Sequence, residues 1–166
     1  MENNFEIVTA SEADFDSIWP MFHEVVQGGD TYVYAPNITK EDAKKVWFAP
    51  NFYTYVLKEK GIVAGAYVIR PNHRDLGSHI SNAAYVVDKK YRGRGYGKAM
   101  GMHSFIEAVK HGYKAMQFNY VISTNEVAIE LWKNIGFQVI GIVPEAHQHQ
   151  KLNRLVDIYI MHKQLV

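Results

Sequence analysis

The chain has 166 residues, 48% of them hydrophobic and 21% charged, an ordinary composition for one globular domain with a buried core. Its formal net charge of +1 argues against broad electrostatic binding to nucleic acid or to an anionic membrane, and the lack of cysteine excludes disulfides and a cysteine nucleophile. No apolar run is long enough to span a membrane, and no signal-peptide core is present. We therefore expect a single cytoplasmic domain over residues 1–166.

The first half of the chain is expected to form strands and short helices. We predict a strand at 5–9, a helix capped by Ser11 that Pro20 kinks or restarts, and a stop at 28–30. An aromatic loop at 31–36 and a short helix at 40–47 follow. The segments 52–58 and 62–69 are typical of a β-hairpin.

The second half alternates strands and helices. We predict strands at 78–87, 115–120, 137–143 and 155–161, a helix at 98–110, and a further helix capped by a box of Ser123 and Glu126. The first of these helices is expected to pack through Ala99, Met102, Phe105, Ile106 and Val109, and residues 144–154 are expected to form a polar loop. The element order predicts an α/β (α+β) fold with a mixed sheet and helices on both faces.

A turn rich in glycine and arginine separates a predicted strand from a predicted helix. It reads Tyr-Arg-Gly-Arg-Gly-Tyr-Gly-Lys over residues 91–98. Glycines at alternate positions let backbone N–H groups converge on an anion, and the helix N-terminus and the basic side chains add positive charge. The turn therefore indicates a site for a pyrophosphate.

The spacing of this turn excludes the commonest phosphate-binding motifs. A P-loop would need glycine at position 92, where Arg92 stands, and Ser or Thr at position 99, where Ala99 stands. The dinucleotide-binding fingerprint fails at Lys98, where its third glycine belongs. A short arginine–glycine segment followed at once by a helix also differs from the longer, disordered segments that bind RNA.

The segment Arg92-x-x-Gly95-x-Gly97 resembles the signature of the GNAT acyltransferase superfamily. That resemblance implies a mixed, mostly antiparallel seven-stranded sheet whose central strands, here 78–87 and 115–120, splay apart. It also implies acetyl-CoA as cofactor, with the loop on its pyrophosphate. The cofactor-binding residues implied are Tyr85, Val86, Val87, Arg92, Gly93, Arg94, Gly95, Tyr96, Gly97, Lys98, Asn125 and Trp132.

A second superfamily motif is matched from Asn125 to Phe137. Its aromatic position usually holds a tyrosine that protonates the departing thiolate, but this chain has Trp132, whose indole is not a usable acid. Tyr85, Tyr96 and Tyr120 are then the candidates for that proton, unless the thiolate leaves as an anion.

The asparagines of the second half point to a narrower group. Together with the sequence around them, Asn82, Asn119 and Asn125 resemble the fungal N-acetyltransferases that detoxify proline analogues such as L-azetidine-2-carboxylate. The resemblance implies a catalytic role for all three and places Asn82 and Asn119 in the acceptor pocket. The superfamily also lines that pocket with the loop that here carries Thr31, Tyr32 and Tyr34.

The sequence therefore favours an acetyl-CoA-dependent N-acetyltransferase that acts on a small amine, an amino acid or an analogue, by direct attack in a ternary complex. A peptide or protein amino-terminal acetyltransferase and a non-catalytic acyl-CoA-binding module are the alternatives. No metal is expected, because His147 and His149 lie in the predicted polar loop, where a solvated pair is the simpler interpretation. The oligomeric state stays open, with a homodimer among the options.

Overall fold

The computed structural model describes residues 4–166, so the first three residues of the expected domain lie outside it. The strands are β1 (Phe5–Thr9), β2 (Tyr53–Glu59), β3 (Ile62–Pro71), β4 (Ile80–Val87), β5 (Ala115–Ile122), β6 (Gln138–His149) and β7 (Arg154–Gln164). The α-helices are α1 (Phe15–Gly28), α2 (Lys40–Trp47), α3 (Tyr96–Lys110) and α4 (Glu126–Asn134). Short 3₁₀ turns precede α1, β4 and α3.

The seven strands form one mixed sheet in the order β1-β2-β3-β4-β5-β7-β6. Every neighbouring pair is antiparallel except β4 and β5, which are parallel. Those two strands pair only at Ile80 with Ala115 and at Ser81 with Met116, and then they diverge. The predicted seven-stranded mixed sheet with splayed central strands is confirmed, and the gap between the strands creates a cleft at the centre of the sheet.

Helices cover both faces of the sheet, as predicted. Alternation along β2 sends Val56 to one face, where it packs with buried residues of α1 and α2. Its neighbours Tyr55 and Leu57 point to the other face, which is covered by α3 and α4. The cleft between β4 and β5 is therefore bordered by helices on both sides of the sheet.

The buried face of α3 differs from the prediction. Met102, Ile106 and Val109 are exposed, whereas the helix packs through Met100, Gly101, Ser104, Phe105 and Ala108. These small residues make room for two different neighbours: Ser104 bonds to the Tyr85 hydroxyl of the sheet, whereas Gly101 faces Trp132 and Ile135 of the α4 segment. A Cβ at Gly101 would lie 2.7 Å from Ile135 Cδ1. Close packing therefore requires small side chains on the buried face of α3, where the sequence pattern predicted large apolar ones.

The start and the continuity of α1 differ in part from the prediction. Ser11 caps a 3₁₀ turn, where its N–H donates to Asp14 Oδ2 at 2.8 Å, and the α-helix begins only at Phe15. Pro20 does not interrupt the helix, which runs without a break to Gly28. Pro20 is exposed, so the carbonyl left without an intrahelical donor lies on the solvent side, where water can satisfy it.

The predicted polar loop between the last two strands is instead a long hairpin. β6 continues to His149 and β7 begins at Arg154. The expectation of a solvated histidine pair is wrong, since His147 and His149 are only 7% and 5% exposed. The hairpin tip packs on the end of α1, where a Cβ on Gly29 would come within 2.5 Å of Gln150 Cγ. This tertiary contact buries residues that look like a surface loop in sequence.

Candidate active site

The glycine-rich turn leads directly into the N-terminus of α3. Gly93 and Gly95 have φ angles of 77° and 80°, a left-handed conformation that favours glycine. Gly97 lies inside the helix, where an added Cβ would be 3.2 Å from Leu131 Cδ2. Two glycines therefore shape the turn and the third permits close packing of α3 on α4. The turn points free backbone N–H groups and the helix dipole at one place.

The basic and aromatic side chains of the turn have different surroundings. Arg92 is exposed and its Nε donates to the Val87 carbonyl at 3.3 Å, which holds it beside the end of β4. Arg94 instead forms an ion pair with Glu59 at 2.9 Å. Lys98 is exposed on the first turn of α3, whereas Tyr96 is buried and its ring packs at a tilt against Phe5. Arg92 and Lys98 are thus the available cations, and the Tyr96 side chain belongs to the core.

The main chain of β4 presents hydrogen-bonding groups to the cleft. Ile80 and Asp88 both bond to β3, so the intervening odd-numbered residues, which include Tyr85 and Val87, direct their N–H and C=O groups to the opposite side. Pairing with β5 ends at Ser81, so the N–H groups of Tyr85 and Val87 face an open gap, whereas their carbonyls already accept from Tyr32 and Arg92. A linear ligand can therefore add to β4 as an extra strand would.

A cavity of about 430 Å³ lies beside the end of β4 and the turn, and we call it the second cavity. Val86, Val87 and Arg92 line one side of it. Asp30 and Lys151 close the other side through an ion pair of 2.6 Å. Burial alone would raise the Asp30 pKa, but the hydrogen bond and charge of Lys151, together with Thr31 and His149, outweigh it and hold the pKa below its usual value. The cavity is bordered by the main chain at the end of β4 and by the exposed guanidinium of Arg92, so it can take an extended ligand with an anionic group.

A cavity of about 200 Å³ lies in the gap between β4 and β5, and we call it the first cavity. Its lining is mainly aromatic and amide side chains, with one arginine; the residues used below are Thr31, Tyr32, Tyr34, Arg70, Asn82, Tyr85, Asn119, Tyr120, Asn125 and Trp132. Thr31 and Tyr85 also line the second cavity. The two cavities therefore meet at Tyr85, halfway along the cleft.

The structure brings all three predicted asparagines to the first cavity. Asn119 Nδ2 donates to Asn72 Oδ1 at 2.7 Å, and Asn82 Nδ2 donates to the same oxygen at 3.3 Å. Asn72, at the end of β3, therefore joins the two splayed strands through one carboxamide. Each asparagine amide has two N–H donors, so this bridge leaves one donor on both Asn82 and Asn119.

Asn125 has a structural contact of its own at the start of α4. It is the N-cap, and its Oδ1 accepts from the Ala128 N–H at 3.3 Å. The predicted capping box of Ser123 and Glu126 is therefore wrong, because the helix begins two residues later than that box requires. Further along α4, Trp132 is buried and packs against Tyr85, with 4.7 Å between the centres of the two rings. It forms an apolar wall of the cleft.

Tyr85 and Tyr120, two of the candidates for the thiolate proton, and the neighbouring Tyr32 have distinct environments. The Tyr85 hydroxyl bonds to Ser104 Oγ at 2.7 Å on the α3 side of the sheet, away from the gap, and burial raises its pKa. Tyr32 donates its hydroxyl proton to the Tyr85 carbonyl, and burial raises its pKa too. Tyr120 lines the first cavity. Its hydroxyl is hydrogen-bonded to His147, a titratable residue, whereas the Tyr85 hydroxyl is bonded to a serine.

Arg70 and Asn72 are site residues that sequence reasoning missed. Both stand at the end of β3, and Arg70 pairs across the strands with Asn82. A charged residue in a strand that is otherwise buried was the available signal. This signal identifies Arg70 as a site residue only through the pairing of β3 with β4, which a single sequence does not reveal.

Residues 4–166 contain no group of three or more His, Cys, Asp or Glu side chains that could hold a metal ion. In that part of the chain no helix is long and apolar enough to cross a lipid bilayer.

A seven-stranded sheet that opens between two parallel strands, with a glycine–arginine turn beside the opening, defines the class of the GNAT-fold acyltransferases. The sequence model of the Acetyltransferase (GNAT) family matches residues 15–137. The chain belongs to this family. It is accordingly an N-acetyltransferase, and acetyl-CoA is its cofactor.

Individual relatives agree with this assignment. A GCN5-related N-acetyltransferase from Kribbella flavida is 36% identical, with a TM-score of 0.92 and 99% of each chain covered. N-acetyltransferase aca1 of Schizosaccharomyces pombe is 28% identical over 81% of this chain and 72% of its own length. The yncA protein of Salmonella typhimurium, solved with acetyl-CoA, shares the fold with a TM-score of 0.87 at 21% identity, and 99% of this chain and 95% of that one are covered.

Proposed function

We propose that residues 1–166 form a single-domain, cytoplasmic enzyme that acetylates the amine of a small molecule, an amino acid or an analogue of one. The first cavity, at about 200 Å³, supports a small acceptor. Pockets for drug-sized ligands typically have about 300–1,000 Å³. The cavity therefore has room for one small amino acid and not for several residues of a peptide.

The proposal rests chiefly on the position of Arg70, a cation at the wall of the first cavity. Its side chain is half-buried at the wall of the first cavity, with its guanidinium 5.7 Å from the centre of the Phe52 ring. Among the salt bridges of the described residues, none involves Arg70. A partly desolvated cation favours an anionic partner, and the guanidinium fork matches a carboxylate. The acceptor in our proposal therefore carries a carboxylate near its amine.

The three asparagines support the same class of acceptor. The N–H donors left on Asn82 and Asn119 can bind a second carboxylate oxygen or the acceptor's polar atoms. Asn125 stands at the opposite wall, where its remaining amide group can contact the reacting atoms. Proline analogues such as L-azetidine-2-carboxylate belong to the acceptor class that this arrangement favours.

The chain's contribution to the reaction is mainly orientation. The turn from Arg92 to Lys98 binds the pyrophosphate, and the main chain of Tyr85 and Val87 holds the pantetheine arm along β4. Acetyl-CoA supplies an acetyl thioester whose sulfur is the leaving group. With both ligands aligned, the amine attacks directly, because no cysteine is available for an acyl intermediate.

The chief alternative is a peptide or protein amino-terminal acetyltransferase. In such a substrate the carboxylate adjacent to the amine is replaced by an amide, which would leave Arg70 without an anionic partner. A non-catalytic acyl-CoA-binding module is a further alternative, and turnover itself distinguishes it. Either outcome is compatible with a monomer or a homodimer.

Release of the coenzyme A thiol tests the proposal. Small amino acids, including proline and azetidine-2-carboxylate, are compared with their carboxamides and with dipeptides that have the same first residue. We expect kcat/KM for a free amino acid to exceed that of its amide by about 10- to 100-fold, the value of one charged hydrogen-bonded contact. Equal or faster turnover of the dipeptides would overturn the proposed acceptor, and binding of acetyl-CoA without turnover of any amine would overturn catalysis.

A further inference from the structure

Tyr120 and His147 form a hydrogen-bonded pair at the wall of the first cavity. Tyr120 lines the cavity, and its hydroxyl oxygen lies 3.0 Å from His147 Nδ1 and 3.1 Å from the Ala146 carbonyl oxygen. His147 lies behind Tyr120 and is almost fully buried. Its Nε2 is 2.9 Å from the Gly29 carbonyl at the end of α1. A titratable imidazole is thus connected to the cavity through one phenol.

The contacts define where the protons are. A carbonyl only accepts, so His147 Nε2 carries hydrogen and donates to Gly29. In the neutral imidazole Nδ1 has a lone pair, and the Tyr120 hydroxyl donates to it. In the imidazolium Nδ1–H donates to the Tyr120 oxygen, and the hydroxyl proton turns to Ala146. Both protonation states therefore keep the hydrogen bonds of the pair without movement of the backbone.

The rest of the cavity offers no comparable base. The described lining of the first cavity contains no Asp or Glu. Tyr32 is bonded to a carbonyl, and Tyr85 is bonded to Ser104 on the far side of the sheet. An ammonium group that enters the cavity can therefore lose its proton most directly to the Tyr120 oxygen.

We propose that Tyr120, backed by His147, removes the proton from the ammonium group of the acceptor. This inference rests on the proposed function, since it concerns the same cavity. Tyr120 is the catalytic residue in this step, because it borders the acceptor. His147 is a positioning residue that acts through Tyr120 and stores the proton.

The step balances as follows. An N–H bond of the ammonium breaks and an O–H bond forms on Tyr120, while the original Tyr120 proton moves to His147 Nδ1. The amine now has its lone pair, Tyr120 is neutral and His147 carries the positive charge. The amine lone pair forms the new C–N bond as the C–S bond breaks. The acylated nitrogen then loses a second proton, and the thiolate takes up a proton to become the coenzyme A thiol. His147 then returns its proton to water through Tyr120.

Several titratable and charged groups surround the pair. The His149 ring is 6.2 Å from the His147 ring on the same strand. Asp30 follows Gly29 and is ion-paired with Lys151 at 2.6 Å. On β5, burial raises the pKa of Tyr120. Lys151 thus neutralises the carboxylate that directly follows Gly29.

Three single variants test the relay. Tyr120→Phe removes the hydroxyl, and His147→Gln keeps a donor for Gly29 and an acceptor for Tyr120 but cannot take up a proton. We expect both to lower kcat by about 100- to 10,000-fold, the usual contribution of a general base, with little change in acetyl-CoA affinity or in KM for the amine. His149→Gln is the matched control, because His149 is equally buried and accepts from the Leu152 N–H. It should keep wild-type kcat.

Two further readouts separate a proton store from a merely structural residue. The acid limb of the kcat–pH profile should disappear in His147→Gln and persist in His149→Gln. Nitrogen-15 spectra of the free protein should show the Nε2–H form of His147, and Tyr120→Phe should shift its Nδ1 resonance. An active wild type with an equally active His147→Gln, or with an unchanged acid limb, would overturn the relay. A wild type that acetylates no amine would instead overturn the proposed function.

Discussion

At the scale of single residues, the decisive feature is the charge of Arg70 inside an otherwise uncharged cavity wall. The prediction is that Arg70→Ala reduces the preference for a free amino acid over its carboxamide. It should lower kcat/KM for the acid by about 10- to 100-fold and leave the value for the amide nearly unchanged. Steady-state kinetics with the two acceptors measures this, with Arg70→Lys as the charge-conserving control. An equal loss for acid and amide would contradict a carboxylate contact.

The two arginines of the glycine-rich turn, Arg92 and Arg94, allow a matched comparison of their effects on cofactor binding. Arg92 is exposed beside the second cavity, whereas Arg94 is bound to Glu59 and lies 5.0 Å from the centre of the Tyr91 ring. We expect Arg92→Ala to weaken acetyl-CoA binding by about 10-fold, the worth of one charge-assisted contact. Arg94→Ala should weaken it less. Calorimetric titration compares them, and a larger loss for Arg94→Ala would refute this division of roles.

Some residues of the candidate site can be identified from the sequence alone, and others cannot. The turn is a local pattern, so the positions of Gly93 and Gly95 follow from spacing alone. Arg70 and His147 become site residues only because β3 lies beside β4 and the β6–β7 hairpin packs on α1. These are long-range contacts between segments far apart in the chain. No local pattern in one sequence encodes them.

At the scale of elements, Asn125 joins helix formation to the cleft. Its side chain caps α4, which carries Trp132 into the cavity wall. Asn125→Ala should lower the free energy of unfolding by about 0.5–2 kcal/mol, and Asn125→Asp should retain most of that stability because aspartate also caps helices. Denaturant unfolding measures both.

Kinetics with the same two variants then separates the roles of Asn125. If the amide contacts the acceptor, both variants should lose kcat although only the alanine variant loses stability. Full activity of Asn125→Asp would show that the residue serves only as a helix cap.

The packing of α3 on the sheet makes stability depend on pH. His103 Nδ1 lies 2.6 Å from the Tyr67 hydroxyl, and burial lowers the His103 pKa, against an opposing effect of Glu107. The unfolded chain thus takes up this proton at a higher pH than the folded protein. Stability from this group is fully present above the ordinary histidine pKa of about 6.5 and is lost as the pH falls through the lowered value.

His103→Gln should therefore flatten the decrease in unfolding free energy below about pH 6.5. Denaturant titrations of the two proteins across this range measure the difference. The Glu107 carboxyl does not interfere, because burial raises its pKa less than Lys110 and Tyr55 lower it, and its own effect appears only below 4.5. Parallel curves for wild type and variant would contradict the assignment.

Elements were predicted well where their signals are local. The hairpin of β2 and β3 and the turn before α3 follow from alternation and glycine spacing. The buried face of α3 could not be predicted, because it depends on partners that the helix sequence does not reveal. Gly101 packs against Ile135 and Trp132, and Ser104 bonds to Tyr85. Likewise, β6 extends through polar residues since its tip rests on α1.

At the scale of the whole molecule, the function depends on one opening in one sheet. β4 supplies main-chain groups and β5 supplies Tyr120. α4 contributes Trp132, and the loop after α1 contributes Tyr32. The two cavities meet at Tyr85, so that a cofactor along β4 and an acceptor in the gap would come together there. This geometry supports the direct transfer between two bound molecules that we propose.

The most direct test is a competition in which the protein and acetyl-CoA meet an equimolar mixture of small amino acids, their carboxamides and matched dipeptides. Mass spectrometry identifies the acetylated products at low conversion. Acetylated free amino acids should predominate, because they alone place a carboxylate against Arg70. Predominant acetylation of the dipeptides or amides, or no acetylated product at all, would contradict acetyl transfer to a small carboxylate-bearing amine.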